Sequence, residues 1–351
     1  STAAHAQVLY PGSVANQAAI LLAWQAVGLG EQCDKSTDFK VTVPDPTIEL
    51  APNASGQTQV SLNRIQPGGD NGLISYAIDW AGPATVTGDP PSNPDGNSEG
   101  TTITVNANAG AADGVYPILV TATGAGDSHY SAASYVVDGT DPSASVTKVG
   151  FVAMSSISPT GKVPLKVTWS AIDAASGVAS AQLQHSPSGS DWVAVLGDSP
   201  TSFDALAGPH QFNVVAEDAV GNDTTSAAFI RSLSAYQETA LTYTRTWNVN
   251  VSGTQWGTTR YSTLRRATAT LVFNGTDVVW IAQRGPKRGV ANVFIDGVKT
   301  HVDLYSSSLT ERRVVFIATG LTDGPHTIKI KVKGTFGRPR VDVDGILVLD
   351  P

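Results

Sequence analysis

Aromatic side chains and polar side chains recur close together in the C-terminal third of the sequence, in loop-like or strand-end contexts. A pyranose presents an apolar C–H face and a rim of hydroxyls, so exposed aromatic rings beside amide and guanidinium groups suit it. For each ring, packing in a core is the alternative. The candidate glycan-binding residues are Trp247, Trp256, Tyr261, Arg265, Arg284, Asn292 and Tyr305.

A second constellation is cationic. In the run from His326 to Lys333, Ile and Val alternate with lysine, so a strand there would turn Lys329, Lys331 and Lys333 outward in one row. Such a row protects an edge strand from unwanted pairing. Alternatively, it forms a patch for an acidic partner, either an anionic polysaccharide or the acidic first domain of another copy.

Enzyme signatures are absent from the sequence. It has no H-E-x-x-H, G-x-S-x-G, G-x-x-x-x-G-K-[ST] or G-x-G-x-x-G motif, and its six histidines are scattered. The single cysteine, Cys33, excludes an internal disulfide and a thiolate metal cage. We therefore predict that the protein is not an enzyme and has no cofactor, with a structural calcium ion left open but unsupported.

Charge is distributed unevenly along the 351 residues, whose net charge is −8. Residues 1–145 carry 3 basic and 14 acidic side chains, whereas residues 235–351 carry 15 basic and 9 acidic ones. An acidic front and a basic back favour head-to-tail contact between copies. No aromatic interleaving or recognition helix accompanies the basic residues, so nucleic acid is not predicted as a partner.

Residues 1–30 contain no Asp, Glu, Lys or Arg, and an apolar stretch from Ser13 to Leu29 predicts a helix behind a Ser13 N-cap. At about 17 residues it is short for a membrane span. Because it is apolar all round, it should pack against something, either its own first domain or a neighbouring subunit; membrane anchoring is the third alternative. The candidate assembly residues are Ile20, Leu21, Leu22, Trp24 and Val27, together with the three lysines.

From about Thr37 the pattern changes to short strands with period-two alternation, for example 58–62, 76–80, 103–107 and 116–122, separated by clusters rich in Pro, Gly, Asn and Asp. That spacing predicts an antiparallel sandwich of immunoglobulin type. The predicted divisions are an N-terminal apolar segment at 1–36, Ig-like sandwiches at 37–140 and 141–234, and a third sandwich at 235–351.

The second sandwich shows a motif that runs from Trp169 and Asp173 through Ser176-Gly177-Val178 and Trp192 to His210 and Asp218, Gly221 and Asn222. This pattern resembles bacterial immunoglobulin-like and fibronectin-III-like modules. The resemblance covers about 80 residues and implies a fold more than a function.

The third sandwich contains three Asx-Gly pairs between strand-like runs, namely Asn274-Gly275, Asp296-Gly297 and Asp344-Gly345. Such pairs favour two-residue type I′ hairpin turns, so three hairpins are predicted. With its run RRATATLVFNGTDVVWIAQRG and its ending VDVDGILVLD, the region resembles galactose-binding-like jelly-roll modules. That resemblance implies an extracellular setting and carbohydrate binding.

The sequence thus predicts an all-β protein of tandem Ig-like sandwiches and a C-terminal jelly roll, with a short N-terminal apolar helix. The favoured function is a non-catalytic structural and adhesive protein, secreted or at the cell surface, that assembles with copies of itself. A carbohydrate-binding surface protein and a virion or tail-surface adhesin are the alternatives. Possible partners are copies of itself and a polysaccharide or cell-surface glycan, and no membrane span is predicted.

Overall fold

A computed structural model describes residues 8–26, 39–64, 72–94, 99–124, 126–250 and 256–351. Its residues group into two compact units. Unit 1 comprises Ser1–Ser143, Ile172–Ser180 and Ala216–Thr224, and unit 2 comprises Ala144–Ala171, Ala181–Val215 and Thr225–Pro351. The predicted boundary at 234/235 falls inside one strand, Phe229–Gln237. Where independently folding domains begin and end stays a prediction.

Almost all regular structure is β, which confirms the predicted all-β class with one short helix. Unit 1 begins with that helix, α1 (Val14–Ala26), and continues with nine strands. They are β1 (Phe39–Thr42), β2 (Thr47–Leu50), β3 (Ser55–Arg64), β4 (Ile74–Trp80), β5 (Ala84–Asp89), β6 (Ser92–Asn93), β7 (Thr101–Ala107), β8 (Gly114–Gly124) and β9 (Asp127–Val137).

The nine strands form two facing sheets, in the orders β1-β3-β7-β5 and β2-β9-β8-β4-β6. Alternating apolar residues of both sheets meet in one core, where Val60 and Ile103 of the first join Ile118 and Tyr135 of the second. All four have no exposed surface. The predicted period-two runs therefore do build a sandwich here, with one buried face on each sheet.

Helix α1 packs on its own unit. Ser13 Oγ accepts a long hydrogen bond of 3.4 Å from the Asn16 amide at its start. Ala18 and Leu21 are buried against Leu119 of β8 and Ala132 of β9, whereas Trp24 remains 38 % exposed. Docking within the chain is thus the arrangement observed among the alternatives left open by the sequence. Of the other candidate assembly residues, Ile20 and Leu22 also lie in α1, and Val27 lies outside the described residues.

No helix among the described residues is long and apolar enough to cross a membrane.

Unit 2 contains most of the remaining strands. They are β10 (Ser143–Phe151), β11 (Val163–Ile172), β12 (Val178–Ser186), β13 (Val193–Ala194), β14 (Thr201–Ala205), β15 (Gly208–Asp218), β16 (Asp223–Thr225), β17 (Phe229–Gln237), β18 (Thr242–Thr244), β19 (Asn248–Asn250), β20 (Thr259–Ser262), β21 (Thr268–Asn274), β22 (Asp277–Arg284), β23 (Val290–Ile295), β24 (Val298–Asp303), β25 (Thr310–Ala318), β26 (Pro325–Val332), β27 (Val341–Val343) and β28 (Gly345–Asp350). A 3₁₀ turn, Glu238–Ala240, follows β17.

One eight-stranded sheet runs through unit 2 in the order β13-β12-β15-β17-β28-β22-β25, with β16 beside β15. A five-stranded sheet, β18-β21-β26-β23-β24, and two three-stranded sheets, β10-β11-β14 and β19-β20-β27, complete it. β22 and β28 supply side chains to two cores. Trp280, Ile346 and Val348 join the core with the five-stranded sheet, and Ile281 and Leu347 join the other core.

The turn predictions are right once in three. Asp296 and Gly297 take φ of 48° and 89° and join β23 to β24, which pair directly as a hairpin. Asn274-Gly275 instead carries the chain from the five-stranded to the eight-stranded sheet, and Asp344-Gly345 connects β27 to β28 in another sheet. These two hairpins are wrong, because turn chemistry marks a reversal without fixing the partner strand.

The lysine row alternates as predicted, with Ile328, Ile330 and Val332 buried beneath it. However, β26 pairs with β21 on one side and with β23 on the other. The strand is central, so the edge-protection interpretation is wrong. Lys329 and Lys331 instead lie on the outer face of the five-stranded sheet.

Candidate functional site

Four connecting segments of unit 2 meet, and we call them the loop cluster: residues 263–267, 285–289, 304–309 and 333–340. Backbone hydrogen bonds join them. The amide of Gly289 donates to the Arg340 carbonyl at 2.7 Å, that of Leu304 to the Gly289 carbonyl at 3.0 Å and that of Arg266 to the Val332 carbonyl at 2.9 Å. The loop cluster is therefore held by backbone pairing as well as by side chains.

A close approach inside the loop cluster requires glycine. A Cβ placed on Gly289 would lie 2.2 Å from the carbonyl oxygen of Arg338, closer than any side-chain carbon can come. The absence of a side chain at Gly289 therefore allows segment 333–340 to lie against segment 285–289.

Arg338 organises the exposed part of the loop cluster. Its Nη1 and Nη2 donate to the two carboxylate oxygens of Asp303 at 2.5 and 2.9 Å, and Nη1 also donates to the Arg288 carbonyl at 3.0 Å. These hydrogen bonds hold the pKa of Asp303 below its ordinary value and raise that of Arg338. Such a two-point pair fixes orientation as well as charge.

The Arg338 guanidinium also lies beside an aromatic ring. Its central carbon is 5.2 Å from the centre of the Tyr305 ring, which is 49 % exposed. The Tyr305 backbone is held on both sides, because its amide donates to Asp303 Oδ1 at 2.9 Å and its carbonyl accepts from Arg284 Nη2 at 2.8 Å. The result is a positioned, half-exposed ring with a cation and a carboxylate next to it.

Two further arginines connect the loop cluster to a buried carboxylate. Arg288 Nε and Arg340 Nη2 donate to opposite oxygens of Asp342 at 3.1 and 2.6 Å, and Asp342 is fully buried. The Arg340 guanidinium carbon lies only 3.8 Å from the centre of the Tyr261 ring. That cation covers one face of Tyr261, so the ring has a structural contact where a sugar would otherwise stack.

A groove adjoins this arrangement. It is lined from β24 by Val298, Thr300 and Asp303 and from β25 by Val315 and Phe316, with a cavity of about 700 Å³. β24 ends the five-stranded sheet and β25 ends the eight-stranded sheet, so the groove runs between two sheet edges. Its size suits a small-molecule ligand. Asp303 lines the groove and also pairs with Arg338, so the groove adjoins this ion pair.

The structure brings only some of the predicted glycan residues together. Arg284 and Tyr305 are in contact, and Arg265 lies in the loop cluster, where its Cβ would sit 2.9 Å from a Cβ on Gly334. Trp247 is 8 % exposed and packs in the core beside Tyr243, so it offers no open ring face.

The other predicted residues lie in structural settings. Trp256 is half-buried against Gly161 and Gly345. Asn292 lies on β23 opposite His301 and Lys331, and its buried Oδ1 has no hydrogen-bond partner in the described residues. Which of the seven residues bind a glycan stays a prediction.

Sequence reasoning missed Asp303 and did not place Arg338 beside Tyr305. The two paired residues are 35 positions apart, so no local pattern links them. Phe336 was also missed, although its position between Gly334 and Gly337 was a readable signal, since glycines leave a neighbouring ring uncovered. Its ring is fully exposed.

Carboxylates gather at a separate place, in unit 1. One oxygen from each of Asp138, Asp173 and Asp218 lies within 4.8 Å of the others. Each is already engaged: Asp138 accepts from Ser176 Oγ at 2.6 Å, and Asp218 Oδ2 accepts from Asn222 Nδ2 at 2.7 Å. Burial would raise the pKa of Asp138, but hydrogen bonds from Ser176 and Thr140 outweigh it and hold the pKa below its ordinary value. These hydrogen bonds explain the carboxylates as groups that hold the loops together. The predicted absence of a cofactor stays a prediction.

A buried carboxyl in unit 2 is different. Asp344 has no exposed surface, and neither of its side-chain oxygens has a hydrogen-bond partner in the described residues. Burial, followed by the negative charge of nearby Glu238, raises its pKa to about 8. At neutral pH this carboxyl is therefore mostly protonated.

No family model matches the chain. Among curated proteins it is similar to two from Flavonifractor plautii. It is 30 % identical over 156 residues to the A type blood N-acetyl-alpha-D-galactosamine deacetylase, covering 41 % of this chain and 20 % of that protein. It is also 30 % identical over 105 residues to the A type blood alpha-D-galactosamine galactosaminidase, covering 30 % and 9 % respectively. The chain thus spans a fifth or less of the length of these relatives.

Both relatives are enzymes named for their action on carbohydrate. Their similarity contradicts the prediction that the protein is not an enzyme, and that prediction is withdrawn. A few local catalytic signatures do not decide the question, because most of each relative has no counterpart in this chain.

Solved structures share the β architecture only distantly. Titin domains A168–A170 are 14 % identical with a TM-score of 0.31, covering 54 % of this chain and 64 % of that one. A family two carbohydrate esterase from Cellvibrio japonicus is 10 % identical with a TM-score of 0.27, covering 34 % of each chain. Likenesses of this size carry no argument about function.

Proposed function

We propose that this protein is carbohydrate-active and that its C-terminal sandwich binds the carbohydrate. The observation that carries the proposal is the half-exposed Tyr305 beside Arg338. Arg284 and Asp303 hold the Tyr305 backbone, and Asp303 also lines a groove of about 700 Å³. An aromatic face with adjacent charged hydrogen-bonding groups matches the two kinds of surface on a sugar ring. The curated relatives support the substrate class, since both are named for galactosamine-containing substrates.

The proposal includes an extracellular or cell-surface location, which fits a glycan ligand. It does not include self-assembly through α1, because the buried residues of that helix contact β8 and β9 of the same unit. Nor does it include a virion or tail-surface role, for which the described residues offer no separate observation.

Titration of the purified protein with glycans tests the proposal, beginning with glycans that bear N-acetylgalactosamine or galactosamine. Tyr305→Ala should weaken the affinity about tenfold or more, which corresponds to about 1.4 kcal/mol. Trp80→Ala, which removes a similarly exposed ring from unit 1, is the matched control and should leave the affinity unchanged. Equal affinities for Tyr305→Ala and the parent protein would place any glycan site elsewhere. The absence of measurable binding to any glycan would refute the proposal.

A further inference from the structure

The loop cluster carries a concentrated positive charge. The loop cluster and the two residues that flank it, Arg284 and Asp303, contain eight of the 22 Lys and Arg residues of a chain whose net charge is −8, and a single acidic residue, Asp303. The eight cations are Arg265, Arg266, Arg284, Lys287, Arg288, Lys333, Arg338 and Arg340. Such a concentration of positive charge attracts an oxyanion brought near it.

Carboxylates pair with only three of these cations. Arg338 pairs with Asp303, and Arg288 and Arg340 share the buried Asp342. Arg284 donates to the Tyr305 carbonyl, which is a neutral partner. The other four are exposed, and none has an ion pair among the described residues. They are Arg265, Arg266, Lys287 and Lys333.

Phe336 lies in the same loop cluster. Its ring is fully exposed in segment 333–340, two residues before Arg338. Gly334 and Gly337 on either side have φ of 74° and 77°, a conformation that side-chain-bearing residues rarely adopt, so the loop presents the ring instead of folding over it. With Tyr305, the loop cluster offers two exposed aromatic rings among four uncompensated cations.

We propose that the loop cluster binds an acidic glycan, one whose sugar rings carry carboxylate or sulfate groups. This inference rests on the proposed function and adds the charge class of the ligand. Guanidinium groups pair with planar or tetrahedral oxyanions through two donors, while Tyr305 and Phe336 offer faces for the apolar side of the ring.

The surroundings favour a glycan over a nucleic acid. The adjoining groove is lined mainly by aliphatic and aromatic side chains of β24 and β25, which suits a sugar ring better than a phosphate backbone.

Calorimetric titration with matched acidic and neutral polysaccharides tests the inference. One pair is chondroitin sulfate and its desulfated, carboxyl-reduced form, and another is polygalacturonate and its methyl ester. The acidic member of at least one pair should bind at least tenfold more tightly than its neutral partner. Its affinity should also fall between about 50 and 200 mM salt. Binding frees counterions held by the polyanion, and their release is less favourable at high salt.

Charge-reversal variants locate the site. Arg265→Glu with Arg266→Glu should weaken acidic-glycan binding at least tenfold, and Phe336→Ala should weaken it severalfold. The matched control is Lys299→Glu with Lys329→Glu, which reverses two charges on β24 and β26 of the same sandwich and should leave the affinity unchanged. Circular dichroism of each variant confirms that it folds.

The outcomes separate the two proposals. Equal binding of neutral and acidic partners, or equal losses in the loop-cluster and control variants, would overturn the acidic-glycan inference while leaving carbohydrate binding in place. Silence with every polysaccharide would overturn both. Tighter binding of a single-stranded DNA 20-mer than of any acidic glycan would overturn the ligand class.

Discussion

Arg338 donates two hydrogen bonds, of 2.5 and 2.9 Å, to the carboxylate of Asp303, and thereby ties segment 333–340 to the end of β24. The pair is only partly covered, with 27 % of the Arg338 side chain and 49 % of the Asp303 side chain exposed. Solvent therefore screens much of its attraction, and its main effect is geometric: it sets the distance between the Tyr305 ring and the cation.

Arg338→Lys tests that geometric role. Lysine keeps the charge but cannot make the two-point contact, so the free energy of unfolding should fall by only about 0.5–1 kcal/mol, while glycan affinity falls about tenfold. Urea unfolding and calorimetric titration measure the two effects. Lys299→Arg, a conservative exchange at an exposed position of β24 outside the loop cluster, is the control and should change neither quantity. A loss of stability with full affinity would show that the pair holds the loop without shaping the ligand surface.

The same pair shows where sequence reasoning ends. Period-two alternation predicts which face of β26 is buried, since that pattern depends only on neighbouring residues. It cannot say that β26 lies between β21 and β23, because strand order depends on contacts far apart in the chain. For that reason the edge interpretation of the lysine row is wrong, and no local pattern predicts the Arg338 pair.

At the candidate site, composition likewise predicts the kind of surface but not which side chains lie on it. The excess of basic residues after residue 235 predicts a cationic surface, and Tyr305 is half exposed in the structure. Trp247 looks no different in sequence, yet its ring fills the core beside Tyr243. Only the three-dimensional position of a loop decides whether an aromatic residue in it faces water or the core.

The buried carboxyl of Asp344 should make stability fall as pH rises. Its pKa is raised from an ordinary 3.8 to about 8 in the folded protein, so the folded state holds a proton that the unfolded state has released. This contribution to the free energy of unfolding therefore declines between about pH 4 and pH 8 and then levels off. Asp344→Asn, which replaces the acid by a neutral amide of similar shape, should be more stable than the parent at pH 8 and should lose this slope.

Urea unfolding at pH 5, 6.5 and 8 measures the Asp344 effect, followed by tryptophan fluorescence. Asp350→Asn, at the end of the same strand β28, is the matched control and should keep the parent slope. A parent protein whose stability does not change across this range, or Asp344→Asn with an unchanged slope, would contradict the raised pKa.

The His326–Asp296 pair should give stability a different pH dependence. His326 Nδ1 lies 2.6 Å from Asp296 Oδ2, and its Nε2 lies 2.7 Å from the Thr322 carbonyl, so the protonated ring satisfies both partners. These contacts, that to Thr322 first, raise the pKa of His326; a backbone hydrogen bond from Thr327 and then that from His326 lower the pKa of Asp296. The pair contributes fully between the ordinary pKa values of 3.8 and 6.5, and the contribution is lost as pH rises through the raised pKa of His326.

Asp296→Asn isolates this pair, because asparagine tolerates the positive φ of the turn while removing the charge. It should cost about 1 kcal/mol of unfolding free energy near pH 5.5 and less at pH 9, and nuclear magnetic resonance should show the His326 pKa falling. Asp323→Asn, at an exposed position nearby in sequence, is the control. A cost that is the same at both pH values would mean that turn strain, and not the ion pair, explains the loss.

Asp138 should be the most sensitive of the unit 1 carboxylates. It is fully buried and accepts hydrogen bonds from Ser176 Oγ at 2.6 Å and from the amides of Ser176 and Thr140 at 3.0 Å each. Asp138→Ala would remove the acceptor of these three hydrogen bonds, although the half-buried Ser176 amide keeps a second acceptor, Asp173 Oδ1 at 3.0 Å. The free energy of unfolding should therefore fall by about 1–3 kcal/mol. Asp138→Asn keeps one acceptor oxygen and should cost roughly half as much. Differential scanning calorimetry compares both variants with Asp141→Ala, which removes an exposed carboxylate three residues away and should shift the melting temperature very little. Similar shifts for Asp141→Ala and Asp138→Ala would show that the hydrogen bonds to Asp138 do not stabilise the loops.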